Sequence, residues 1–201
     1  MTTLILVRHG ETEWNRARRI QGRTDIPLND DGRDQARATA RRLADEIAPG
    51  PVVVISSDLS RAKETAEIIA DGLGVGLLRT SPDLRERSYG EAEGIETSEF
   101  ARRWGDWYSA EVPGAEPRSE LRRRALRALR HAVRDARRAT APNAPTVIVV
   151  AHGALIREVM LHATTGAFPS LAERLPNGSS HVFLVERERI TLQSTTASVP
   201  A

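Results

Sequence analysis

Apolar residues gather in three short runs, each closed by polar groups. Leu4-Ile5-Leu6-Val7 leads into Arg8-His9-Gly10. Val52-Val53-Val54-Ile55 leads into Ser56-Ser57-Asp58-Leu59-Ser60-Arg61, and Val147-Ile148-Val149-Val150 into Ala151-His152-Gly153. Uninterrupted branched aliphatics suit strands covered on both faces, as in a parallel sheet. Between the runs the spacing becomes helical. Ala36, Ala40, Leu43 and Ile47 form one stripe, capped by Asn29 and closed by Pro49-Gly50-Pro51. Ala62, Ala66, Ile69 and Ala70 form a second, and Leu121, Ala125, Leu129, Ala132 and Ala136 a third. The pattern predicts strands over 3–7, 52–56, 75–78 and 147–150. It predicts helices over 30–47, 60–73, 95–110, 117–139 and 155–163, and a closing strand pair over 181–186 and 190–193. Alternating strands and helices predict an α/β layered sandwich. Residues 1–193 are expected to form one domain, with 194–201 as a flexible tail.

Open α/β sheets bind ligands beyond the carboxyl ends of their strands. Three strand ends bearing arginine, histidine, serine and glycine therefore predict one site assembled from distant segments. Glycine at such ends lets the backbone turn or approach a ligand closely.

Composition narrows the chemistry. The 201 residues carry a formal net charge of +2 despite a sequence pI near 9.6. So small a net charge argues against general attraction to nucleic acid or a membrane. Lys63 is the only lysine, so nearly all the positive charge is guanidinium, which binds oxyanions through forked donors. There is no cysteine, which excludes disulfides, thiolate nucleophiles and cysteine-ligated metals. The apolar start before Arg8 is too short for a secretory core, no run reaches membrane length, and a cytoplasmic location is expected. Asn177-Gly178-Ser179 matches a glycosylation sequon but reads as a turn. No histidine or carboxylate spacing suggests a metal site, and no cofactor is expected.

Arg8-His9-Gly10-Glu11-Thr12-Glu13-Trp14-Asn15 resembles the signature of the histidine phosphatase, or phosphoglycerate mutase-like, superfamily. Gln21-Gly22, Asp25-Ile26-Pro27-Leu28-Asn29, the segment from Ser56 to Ala66, Leu84-Arg85-Glu86-Arg87-Ser88-Tyr89-Gly90, and Ala151-His152-Gly153 follow in the family's order. The similarity spans roughly residues 2–157. It implies a three-layer α/β/α sandwich with a mostly parallel central sheet. It also implies a phosphomonoesterase of the small phosphatase branch, acting on small phosphorylated metabolites through a phosphohistidine.

The residues suit that chemistry. A phosphomonoester dianion repels anionic nucleophiles, whereas imidazole is largely neutral at pH 7. His9 is the candidate nucleophile, with Arg8 and Arg61 discouraging its protonation and holding phosphoryl oxygens. His152 is expected to donate further hydrogen bonds, as imidazolium. Glu86 is the candidate general acid and then base, an assignment resting mainly on the family pattern. Asn15, Gln21, Gly22, Tyr89 and Gly153 complete the expected phosphate and substrate contacts. Asp58 is expected in a turn or cap. Glu91 and Glu93 read as a solvated acidic loop. Arg23, Arg87, Arg102 and Arg103 are candidates to favour an acidic substrate.

Three rival readings remain. Ala154, where family mutases typically carry asparagine, and the short segment after Tyr89 disfavour a cofactor-dependent phosphoglycerate mutase. Pro113-Gly114-Ala115-Glu116 resembles an altered Pro-Gly-Gly-Glu of the small phosphatases. A non-catalytic phospho-ligand binder is disfavoured by the full set of core residues. The arginines of 122–138 flank an apolar stripe, so they read as a solvated helix face and no nucleic-acid partner is expected. A homodimer is the default assembly.

Overall fold

The computed structural model describes residues 1–170, 173–187 and 189–196. Six strands form one sheet: β1 (Thr2–Arg8), β2 (Val52–Ser57), β3 (Leu77–Ser81), β4 (Thr146–Ala151), β5 (Ser180–Val185) and β6 (Ile190–Thr196). Their spatial order is β3-β2-β4-β1-β5-β6. The first four run parallel, β5 is antiparallel to β1, and β6 is antiparallel to β5.

Alternate residues of the aliphatic runs point to opposite faces, as the period of a strand requires. Ile5, Val7, Val54, Ile148 and Val150 pack with α2 (Asp30–Glu46) and α3 (Ser60–Gly72). Leu4, Leu6, Ile55, Val147 and Val149 pack with α5 (Arg118–Thr140) and α6 (Gly153–Ala163). The result is the three-layer α/β/α sandwich. A smaller cluster of Ile20, Tyr89, Ala92 and Phe100, with Trp104 and Trp107 against it, sits over the strand ends. Among the described residues, no helix is long and apolar enough to cross a membrane.

Several boundaries differ from the sequence reading. The helix expected over 95–110 is confined to α4 (Thr97–Trp104), because Gly105 adopts φ 78° and ends it. The loop after β1 contains one helical turn, α1 (Glu13–Arg16), held by a capping box between Thr12 and Asn15. Strand β3 lies two to three residues further along than expected. Strand β6 reaches Thr196 and so includes Ser194 and Thr195, which the sequence placed in a tail; residues 197–201 lie outside the described residues.

Candidate active site

Strands β1 and β4 are neighbours with Arg8 opposite Ala151 in register, so the residues that follow them emerge together. The His9 amide donates to the Ala151 carbonyl at 3.0 Å. The His9 and His152 rings stand 5.1 Å apart between centroids, and both are buried. His9 Nδ1 lies 2.7 Å from the Gly10 carbonyl oxygen. A carbonyl only accepts, so Nδ1 carries the proton and Nε2 keeps its lone pair. Burial, with Arg61 and Arg8 nearby, holds the His9 pKa well below the usual histidine range. The ring is therefore neutral at pH 7.

The backbone around His9 is pinned from three sides. Gly10 N–H donates to Thr65 Oγ1 of α3 at 3.1 Å. Asn177 Nδ2 donates to the His9 carbonyl at 2.9 Å and to that of Gly10 at 3.2 Å. A Cβ on Gly10 would lie 2.2 Å from the Gly32 carbonyl oxygen, so only glycine permits this approach to α2.

Arg61, in the first turn of α3, is 1% exposed. It donates to the carbonyls of Gly22 at 2.8 Å and Thr24 at 2.9 Å, while its Nε has no partner. Burial pushes its pKa down to about 10, against the opposing pull of Glu86, Asp25 and Glu93, so it remains charged at pH 7. Arg8 donates to the Leu175 carbonyl, and its buried Nε is also without partner. Among the described residues, neither guanidinium forms an ion pair. Buried charges are ordinarily paired. An unpaired buried Arg61 beside an unpaired, half-buried Arg8 fits a site that receives an anion.

His152 occupies the N-cap position of α6, and among the described residues neither of its ring nitrogens has a partner. Burial first, and Arg61 next, hold its pKa well below the usual value. The imidazolium expected from sequence is thus disfavoured here, and a neutral ring offers a single N–H. Glu86 lies at the start of the same helix. Its Oε1 accepts from the amides of Arg87 at 2.9 Å and Leu155 at 3.2 Å, and its Oε2 from that of Ala154 at 3.0 Å. Of about four lone-pair positions on a carboxylate, the one left open is on Oε2. Burial and the Glu86 charge raise the Tyr89 pKa, so its phenol stays protonated.

These groups surround a cavity of about 160 Å³ lined by Arg8, His9, Asn15, Gln21, Gly22, Arg61, Glu86 and Tyr89, among others. A larger chamber of about 820 Å³ shares Arg8, Asn15, Glu86, Tyr89 and Trp107 and adds Gly153. Gln21 is buried, and its Oε1 has no partner.

The matched family model is that of the histidine phosphatase superfamily (branch 1), and it covers residues 4–197. The chain belongs to the histidine phosphatase superfamily. It is 37% identical over 203 residues to a metal-independent phosphoserine phosphatase of Arabidopsis thaliana, covering 96% of this chain and 81% of that protein. It is 38% identical over 192 residues to an uncharacterized phosphatase, PhoE, of Bacillus subtilis, covering 94% and 93%. A solved mycobacterial glucosyl-3-phosphoglycerate phosphatase superposes with a TM-score of 0.79 at 26% identity, covering 98% of this chain and all of that one. Superfamily membership and these relatives support a small-metabolite phosphatase, a phosphoric monoester hydrolase.

Of the residues expected from sequence, Arg8, His9, Asn15, Gln21, Gly22, Arg61, Glu86 and Tyr89 line the smaller cavity, Gly153 lines the larger chamber, and His152 lines neither but stands against the His9 ring. Asp58 lies in the turn between β2 and α3, one of the two placements expected. It forms a two-pronged ion pair with Arg85 at 2.8 and 2.6 Å, and the capping position of α3 belongs to Leu59. Arg23, Arg87, Arg102 and Arg103 line neither cavity.

Two supporting residues escaped the sequence reading. Asn177 holds the His9 loop, although its sequon read only as a turn. Glu93 is not a solvated acid. Its Oε1 accepts from the amides of Arg23 and Tyr89, and its Oε2 from the amide and hydroxyl of Thr24, at 2.8–3.0 Å. It thereby fixes the loop whose carbonyls hold Arg61. Gly22 in that loop has φ 54°, and a Cβ there would lie 2.1 Å from Glu93 Oε1.

His181 of β5 lies behind the site. Its Nε2 is 3.2 Å from Ser179 Oγ, its Nδ1 is unpartnered, and burial with Arg42 pushes its pKa down to about 4. A depressed histidine pKa adds stability that is present above the unfolded value of about 6.5 and lost as pH falls toward 4. The loss is on the order of 3 kcal/mol once His181 is protonated. Melting curves of His181→Gln across pH 4–7 should show a shallower acid slope than wild type; an identical slope would remove His181 as a cause.

Proposed function

We propose that the chain is a metal-independent phosphomonoesterase working in two steps through phospho-His9. One observation carries this reading: a buried guanidinium, Arg61, and a half-buried one, Arg8, which form no ion pair among the described residues, converge beside a neutral imidazole whose Nε2 lone pair is open.

In the first step His9 Nε2 attacks phosphorus. The P–N bond forms and the ester P–O bond breaks. Glu86 Oε2, at its open position, gives a proton to the departing alkoxide. Arg8 and Arg61, with the Asn15 amide and the N–H of His152, hold the phosphoryl oxygens as charge shifts. In the second step Glu86 takes a proton from water, the hydroxide oxygen attacks phosphorus, and the P–N bond breaks. Inorganic phosphate leaves, neutral His9 is restored, and the proton taken from water is held on Glu86. Arginines and N–H donors supply the charge stabilisation that a metal provides elsewhere, so no cofactor enters.

Other relatives are named probable phosphoglycerate mutases, including one from Serratia proteamaculans at 35% identity. The two activities differ in product. With 3-phosphoglycerate, the phosphatase reading predicts release of inorganic phosphate, and mutase activity predicts 2-phosphoglycerate. Hydrolysis of p-nitrophenyl phosphate should proceed without added metal and be unchanged by a chelator. Loss of turnover on chelation, restored by a divalent metal, overturns the metal-independent route.

A cytoplasmic setting, a homodimeric assembly and the lack of a nucleic-acid partner belong to the same reading. The cysteine-free composition supports the first. For the last, Arg122 and Arg124 of α5 are engaged with Glu158 and Glu116 at 2.8 Å.

A further inference from the structure

The inner cavity accommodates the phosphoryl group, whereas the outer chamber of about 820 Å³ receives what the phosphate is attached to. Its walls have two characters. Phe100, Trp107 and Tyr108 supply aromatic surface. The charged wall is made of arginines other than those the sequence singled out. Arg23 pairs with Glu116, Arg87 donates to the Glu116 carbonyl, and Arg102 and Arg103 pair with Glu99.

The chamber's own arginines divide by their partners. Arg118 pairs with Glu158 at 3.4 Å and donates to the Trp107 carbonyl. Arg157 donates to the carbonyls of Ser170 and Glu173, and Arg19 to that of Gly94. Arg18 and Arg174 are exposed and, among the described residues, their side chains have no hydrogen-bond or ion-pair partner. Arg18 is also held at φ 52°, a left-handed conformation uncommon for a residue with a side chain, where its carbonyl accepts from Thr97 N–H at 3.0 Å. Against these cations stand three lining carboxylates. Glu86 is engaged at α6, and Asp106 accepts from Ser109 and Tyr108. Among the described residues, only Glu173 of the three has a carboxylate without a donor.

We infer that the substrate is a phosphomonoester whose alcohol carries a planar or apolar body against Trp107 and Tyr108 and a second anionic group, carboxylate or phosphate, against Arg18 and Arg174. The inference rests on the phosphatase reading and adds the class of its leaving group. Aromatic faces take a planar body, and unpartnered guanidinium groups take an oxyanion. A substrate ammonium gains only Glu173 and faces an excess of cations.

The test uses 4-carboxybenzyl phosphate, its uncharged methyl ester, 4-phosphonobenzyl phosphate and 4-(aminomethyl)benzyl phosphate. All four have similar benzylic leaving groups. The acids should exceed the methyl ester in kcat/KM by about fivefold to thirtyfold, the range of one or two exposed ion pairs. The amine should fall below the ester, and whichever acid is preferred identifies the second anion. In an Arg18→Ala/Arg174→Ala double variant the acid-to-ester ratio should fall toward one. Binding of the corresponding non-hydrolysable benzylphosphonates, followed by calorimetry, should show the same order. Equal values for acid and ester, or a ratio unchanged in the double variant, overturn the inference. Absence of hydrolysis with the acid preference retained in phosphonate binding would instead overturn the phosphatase reading alone.

Discussion

Replacing His9 with alanine is expected to lower turnover of every phosphomonoester by at least about 10⁴-fold, because loss of a covalent nucleophile removes the route and not merely a contact. The variant should remain folded. The backbone bonds from His9 N–H to Ala151 and from Asn177 to the His9 carbonyl do not involve the ring, and only the bond from Nδ1 to Gly10 is lost. The anion cradle of Arg8 and Arg61 is also retained, so binding of inorganic phosphate or vanadate should persist. Steady-state kinetics together with calorimetric titration of phosphate separate the two effects. Near-normal turnover in His9→Ala would contradict the mechanism, and loss of both turnover and phosphate binding would point to a collapsed site.

The second large effect is expected at Glu86. Glutamine in its place neither donates a proton to an alkoxide nor accepts one from water. Its amide NH₂ would also face the N–H of Ala154 or Leu155, both of which now donate to a carboxylate oxygen. Single-turnover cleavage of an alkyl phosphate should slow by about 10²–10⁴, the usual contribution of general acid catalysis. With p-nitrophenyl phosphate the leaving group needs little protonation, so the phosphorylation step should slow far less. Dephosphorylation still needs the base, so Glu86→Gln should release a burst of about one p-nitrophenol per active site, followed by a slow steady state. An equal loss in the burst rate and in alkyl ester cleavage would remove Glu86 as the acid.

The sequence showed the central features because they are local. Four aliphatic residues ending in Arg8-His9 or in Ala151-His152 specify both a buried strand and what emerges at its end. The parallel register of β1 and β4 then brings the two histidines together. Arg61 was legible for the same reason, sitting in the first turn of the helix after β2. The features that escaped depend on distant partners. Asn177 and Glu93 gain their roles from backbone groups more than 60 residues away in sequence, and nothing in their neighbours signals it. The edge strand β3 was misplaced because its position follows from pairing with β2 across an irregularity at Val54/Ile55, and not from its own composition. Charge alone misdirected the choice of substrate-facing arginines. Arg102 and Arg103 sit on a helix beside Glu99, whereas Arg18 lies in a loop with no apolar period to place it.

The central claim is a covalent phosphoryl group on His9 Nε2. Rapid mixing of enzyme with excess substrate, quenching in alkali and peptide mass spectrometry test it most directly, since phosphohistidine survives base. The account predicts a mass increase of one phosphoryl group on the peptide holding His9, formed within the first turnover and absent from His9→Ala. Glu86→Gln should accumulate it to near one per chain. Product formation with no phosphorylated peptide in Glu86→Gln, or with the phosphoryl group on a residue other than His9, would contradict it.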